Sequence, residues 1–272
     1  AMDVSDYIGF VASEGDLFAS AAEDGDFAVE IAACPGWDMR ELVCHLGIVH
    51  LWAASNVAYP KNDWLRIDDL QDLAGHWPDL ATAWPDGADL RPGTASRDRA
   101  LMSWYRATNA NLVRVLRSAP SDVEAFTFLP APSPLAMWAR RQASEIAIHR
   151  FDAESARGIT SHFDSPFAAD MLDELLSGHG PRQHHIDTDT ERVLHVHAED
   201  TDEHWWLTIG PESIATSRHG TDADLTVAGT AGELYLSMWN RTPDSTVHLT
   251  GDTSLMDLWH NTCRVGSSET RA

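Results

Sequence analysis

The chain has 272 residues, 43% of them hydrophobic and 22% charged, which suffices for one large or two modest cores without disulfides. Its 42 acidic residues against 19 basic ones leave a net charge of −23, spread along the chain, and such a field excludes nucleic acid and anionic membranes as partners. No apolar run approaches the ~18 residues of a membrane span, and no basic stretch followed by an apolar run opens the sequence, so neither a spanning segment nor a secretory leader is expected.

The first half reads as helices. Tyr7, Ile8, Val11, Leu17 and Phe18 recur at helical spacing over residues 4–22. In "CPGWDMRELVCHLGIVHLWAASNV", Pro-Gly-Trp is a turn, and Asp38 with Glu41 three residues on is a capping box that starts a helix running to about Val57. Residues 60–95 carry Pro60, Pro78, Pro85 and Pro92 and read as a long irregular connection with short helical turns such as "DDLQDLAGHW". A third helix spans residues 97–118, apolar at Leu101, Trp104, Tyr105, Leu112, Val115 and Leu116. A fourth runs from Pro134 to Ala156 and is ended by Gly158. Four helices with one long crossover predict a four-helix bundle over residues 1–158.

The period then changes. "RVLHVHAE" and "HWWLTIG" alternate around "DTDE", a hairpin signal, and "SIATSRHG", "DLTVAGT" and "STVHLTG" read as further strands. "AGELYLSMWNR" and "TSLMDLWHNT" read as helices, so residues 166–266 predict a small α+β domain. The three cysteines, Cys34, Cys44 and Cys263, are scattered and form no C-x-x-C, which suits a reducing cytoplasm.

The chemistry centres on "ASEIAIHRFD". Residues four apart on a helix lie about 40° apart in projection, so Glu145 and His149 share a face, in a stripe with Trp138, Arg141, Gln142, Ile148 and Asp152. That face accommodates a plain Glu145–His149 or Glu145–Arg141 pair. In the second helix His45 lies in the inward stripe of Leu42, Leu46, Val49, Ala53 and Asn56, whereas His50, five positions on, is expected at the surface or rim. Two imidazoles and a carboxylate on facing helices also make a three-ligand metal set with a position open. The residues alone leave both readings standing. His195 and His197 share one strand face, and "SGHGPRQHH" reads as a solvated polar turn holding His179, His184 and His185. No dinucleotide, Walker, zincin or serine-hydrolase motif occurs.

The segments "CPGWDMRELVCHLGIVHLWA" and "MWARRQASEIAIHRFDAE" resemble the two signature segments of the mycothiol-dependent maleylpyruvate isomerase family of actinobacteria, and "LHVHAEDTDEHWWLTIGPESI" and "VHLTGD" look like its C-terminal unit. The resemblance implies a DinB-like metal-binding four-helix bundle followed by a sterol-carrier-like α+β domain. It also implies a divalent metal, most often zinc, on His45, Glu145 and His149, with mycothiol as thiol cosubstrate and a small-molecule electrophile as its partner, in a cytoplasmic monomer or homodimer. Arg141 and Asp152 are the candidates for catalytic support, ahead of Arg140 and Arg106. Trp52, Trp104 and Trp138, with Trp37, are candidates to line a crevice for the bulky thiol or simply to pack the core. The implied activity is S-transfer or cis–trans isomerisation. A metal hydrolase that activates water and a non-catalytic binding module are the competing classes.

Overall fold

The computed structural model describes residues 2–61, 64–81, 94–182 and 186–263, and the chain divides into two compact units between Ser161 and His162.

In the first unit, α1 (Val4–Glu23), α2 (Met39–Ala58), α5 (Ala95–Ser118) and α6 (Pro134–Ala156) form the expected bundle, with α3 (Leu70–His76) and α4 (Pro78–Ala81) in the crossover. Local signals set the helix ends. Asp38 and Glu41 form the anticipated capping box, Ser133 caps α6 through the Ala136 N–H ahead of Pro134, and Gly158 takes a left-handed φ of 69° just past its end. Each helix packs on two others: α1 and α2 lie diagonally, and both contact α5 and α6. Glycines permit the closest approaches. A Cβ on Gly47 would stand 2.2 Å from the Trp104 ring, and one on Gly15 would stand 2.4 Å from the Asn109 amide. Pro85 and Pro92 of the expected crossover lie outside the described residues.

The second unit is a five-stranded sheet in the order β3-β2-β1-β4-β5, with β1 (Arg192–Ala198), β2 (Glu203–Ile209), β3 (Ile214–Ser217), β4 (Leu225–Gly229) and β5 (His248–Gly251). β1 and β4 pair in parallel and the other neighbours antiparallel. Leu194, Val196, Trp205, Leu207, Leu225 and Val227 alternate onto the buried face, where α7 (Ser165–Glu174), α8 (Ala231–Met238) and α9 (Ser254–Thr262) supply Phe167, Leu172, Leu234 and Trp259 to the core.

The sequence reading missed α7, although its start carries a helix signal: the Asp164 side chain accepts from the Phe167 N–H ahead of an apolar run. α7 continues through a π turn, Leu175–His179, into a 3₁₀ turn, Gly180–Arg182. The expected polar turn at "SGHGPR" is therefore helical. His179 sits edge-on to Trp239 and 4.0 Å from Glu174, held against the unit's core by the helix that continues into it. His184 and His185 lie outside the described residues. Among the described residues no helix is long and apolar enough to cross a membrane.

Candidate metal centre

α2 and α6 are neighbours, and their contact brings His45 to Glu145 and His149. The capping box and the turn before it aim the start of α2. Cys34-Pro35-Gly36-Trp37 closes with a Trp37 N–H to Cys34 O bond of 3.0 Å and φ 84° at Gly36, the type II geometry that Pro-Gly favours. Trp37 then lies against the His45 ring, with centroids 5.1 Å apart.

The donor atoms converge on one oxygen. His45 Nε2 and His149 Nε2 each stand 3.3 Å from Glu145 Oε1. The other oxygen, Oε2, accepts from Arg141 at 2.7 Å. On the far side of the His149 ring, Nδ1 is 2.9 Å from Asp152 Oδ2. The carboxylate thus fixes the proton on Nδ1 and turns Nε2 toward Glu145, the arrangement that orients metal-ligating histidines. His149, Arg141 and Asp152 are buried, while the Glu145 side chain keeps 21% of its surface exposed, so the cluster opens to solvent at its carboxylate.

Charge follows geometry. Burial alone raises the Glu145 carboxyl, but hydrogen bonds from His149 and His45 and the Arg141 charge outweigh it and hold the group well below the usual carboxylate range. Burial also disfavours a charged His149, yet Asp152 and Glu145 push it up to about 9. Burial dominates at His45 and lowers it. One imidazole is thus kept neutral, and the other takes a proton only because two carboxylates ask for positive charge. A divalent cation suits this donor set. Donor atoms on a tetrahedral ion with bonds of 2.0–2.1 Å stand about 3.3 Å apart.

The other expected residues fall as follows. Trp52 and Trp138 meet edge to face at 4.8 Å, seven residues along α2 and α6 from His45 and Glu145, or roughly 10 Å along the helices. Their indole N–H groups are spent on Leu65 O and Phe126 O, and both rings are buried in an aromatic cluster with Phe128 and the exposed Trp64. Trp104 is 1% exposed and packs against Gly47. Arg106 pairs with Glu23 across α1 and α5, and Arg140 is only partly exposed.

The expectation for His50 is corrected. It is fully buried, because α5 packs on the face of α2 that the sequence left to solvent. Sequence reasoning also missed Cys34, which offers a sulfur within 4.8 Å of donor atoms of His149 and Asp152. Its place in the turn feeding α2 was the available signal.

Two family models match the chain: the mycothiol maleylpyruvate isomerase N-terminal domain over residues 11–154 and the corresponding C-terminal domain over residues 162–258. The crystal structure of a mycothiol-dependent maleylpyruvate isomerase superimposes with a TM-score of 0.61 over 93% of this chain and 95% of that one, at 12% identity. A mutant of the isomerase with a histidine replaced by alanine gives 0.60 over the same shares, again at 12% identity. At this identity the likeness shows the fold. No curated protein matches the chain. With both domain models matched in order, the chain belongs to the mycothiol maleylpyruvate isomerase family.

Proposed function

We propose that this protein is a metal- and mycothiol-dependent enzyme that acts on a small electrophile, either isomerising a maleylpyruvate-type cis double bond or transferring the thiol onto it. The observation that carries this reading is the convergence of His45 Nε2 and His149 Nε2 on Glu145 Oε1 in a chain of this family.

These three residues would hold one divalent ion, with zinc the natural choice for two imidazoles and a carboxylate. Bound there, the ion keeps a coordinating thiol deprotonated at neutral pH, where a free thiol of pKa about 8.5 is mostly protonated. The chain's own residues do the positioning. Arg141 occupies Oε2 of Glu145 and leaves Oε1 facing the imidazoles. Asp152 holds the His149 tautomer. Both act through a ligand and are positioning residues. Of the three indoles, Trp52, 8% exposed and two turns away, is the one with surface to offer the body of the thiol, whereas Trp138 at 0% packs the core. Trp104, closed against Gly47, is buried in the same way.

In the isomerisation the thiolate sulfur adds to the double bond, and the π pair moves onto the conjugated carbonyl oxygen. The bond, now single, rotates. The electron pair returns and expels the thiolate, leaving the trans isomer with no net oxidation or proton uptake. In the transfer the carbon–sulfur bond stays and the adduct takes up a proton. Cys34, Cys44 and Cys263 form no disulfide among the described residues, which suits a reducing cytoplasm where the thiol cosubstrate stays reduced.

Metal analysis joined to activity assays tests the reading. One divalent ion is expected on these three residues, so His45→Ala and His149→Ala should each lower the metal content by one equivalent per chain, with turnover of a maleylpyruvate-like substrate only when mycothiol is added. A metal content in both variants no lower than the parent's would sink the ligand assignment. Undiminished turnover without thiol would point to activated water instead.

A further inference from the structure

The face of the sheet turned away from its core carries a second group of metal-binding donors, independent of the first. β1 and β2 pair with His195 opposite Trp206 and His197 opposite His204. Alternation puts all four on this face, since Leu194, Val196, Trp205 and Leu207 take the core side. Their rings stack. His197 and His204 lie 4.0 Å apart, His195 and His204 5.2 Å, and His195 and Trp206 4.4 Å, all within 12° of parallel.

The hairpin turn adds a carboxylate. Asp202 takes a left-handed φ of 53°, uncommon outside glycine, and its Oδ1 stands 3.5 Å from His197 Nε2 and 3.5 Å from His204 Nε2. Two ring nitrogens again converge on one carboxylate oxygen. A hydrogen-bond relay prepares them. His195 Nδ1 lies 3.3 Å from Thr226 Oγ1, and His195 Nε2 lies 3.0 Å from His204 Nδ1. In the tautomer in which His195 donates to Thr226 and His204 donates to His195, His204 Nε2 presents its lone pair toward Asp202, as a metal ligand must. His197 Nε2 is enclosed and makes no hydrogen bond among the described residues. Two imidazole nitrogens and a carboxylate oxygen within 4.8 Å of one another form a set that a cation completes.

We propose that His197, His204 and Asp202 form a site for a divalent transition-metal ion of the Zn2+ class on the exposed face of the sheet, with His195 and Thr226 orienting His204. Two imidazoles and one carboxylate favour Zn2+ over Mg2+ or Ca2+, which take oxygen sets. The His197, His204 and Asp202 side chains are 28%, 33% and 89% exposed, so an ion reaches Asp202 directly, and a tilt of the His197 ring turns its enclosed Nε2 onto it.

Metal-stripped full-length protein carrying His45→Ala and His149→Ala isolates this group for calorimetric titration with Zn2+. It should bind one ion per chain at micromolar Zn2+, undisturbed by excess Mg2+. Adding His204→Phe, which keeps a ring in the stack but removes the donor, should abolish that binding. Asp202→Asn should weaken it. In wild-type protein with its first equivalent of Zn2+ bound, a second equivalent should shift the His197 and His204 side-chain nitrogen signals in proton–nitrogen correlation spectra, a readout that needs no variant to fold. Saturable binding that survives His204→Phe overturns the proposal. So does Zn2+ association only at millimolar concentration with those signals unmoved.

Discussion

The two oxygens of Glu145 have different partners, Arg141 on one and two imidazoles on the other, so a single substitution separates a ligand from a scaffold pair. Glu145→Gln keeps size and helix propensity but removes the charge. Metal affinity and thiol-dependent turnover should fall and the pH optimum should rise, as metal content and a pH–rate profile will show. Unchanged metal and pH profile would make the group a structural pair. Asp152→Asn keeps the shape and can still meet His149, but no longer enforces the proton on Nδ1. Metal affinity should drop about 10–100-fold, the usual cost of losing such a partner, while a mere packing role would change only the melting temperature. His50 gives a pH signature of a different origin. Thr108 spends its hydroxyl hydrogen on Tyr105 O, so its oxygen accepts from His50 Nδ1–H and the imidazole is buried neutral. Burial lowers its pKa from 6.5 to about 3. The unfolded chain therefore binds this proton first as pH falls through 6.5, and the folded state loses stability from there down to about pH 3. The slope is at most about 1.4 kcal/mol per pH unit. Melting temperatures of His50→Gln should decline less steeply between neutral pH and pH 5 than those of the parent, and parallel curves would reject the assignment.

Helix ends were the most legible elements because capping chemistry is local. Asp38 with Glu41, Ser133 with Pro134, and Gly158 mark boundaries that the structure reproduces. Faces were harder to read. α2 carries apolar residues around much of its circumference, and only the packing of α5 decides that His50 is inside. The same interface depends on a residue with no side chain. Gly47→Ala would drive a Cβ into the Trp104 ring, and overpacking of this kind costs about 1–3 kcal/mol. Gly9 on α1 has nothing within 4 Å of its Cβ position, so Gly9→Ala should gain roughly 0.8–1.0 kcal/mol from helix propensity. Thermal melts of the two variants should move in opposite directions. A shift of the same sign in both would mean that propensity, not packing, governs these sites.

Across the whole molecule, a net charge of −23 sets a background of self-repulsion. Raising ionic strength from very low to about 0.15 M shortens the screening length to about 8 Å and should raise the melting temperature. A fall would mean that pairs such as Arg40–Asp98 and the buried Arg150 between Glu14 and Glu154 outweigh the net repulsion.

The sequence by itself determined the bundle, the change to a period of two near residue 190, and the shared helix face of Glu145 and His149, because each is a matter of spacing along one element. It also determined the family, through two segments that carry those residues. Tertiary structure alone decided which oxygen of Glu145 faces which partner, that Arg141 meets Glu145 while Asp152 meets His149, and that Cys34 stands beside His149 and Asp152. It likewise brought His204 and Asp202 to the strand histidines, where the sequence showed only His195 and His197 on one face. The physical reason is the same in each case. Periodicity fixes direction within an element, whereas contact between elements depends on which side chains leave room for the approach, and glycines such as Gly47 show that only once the helices are packed.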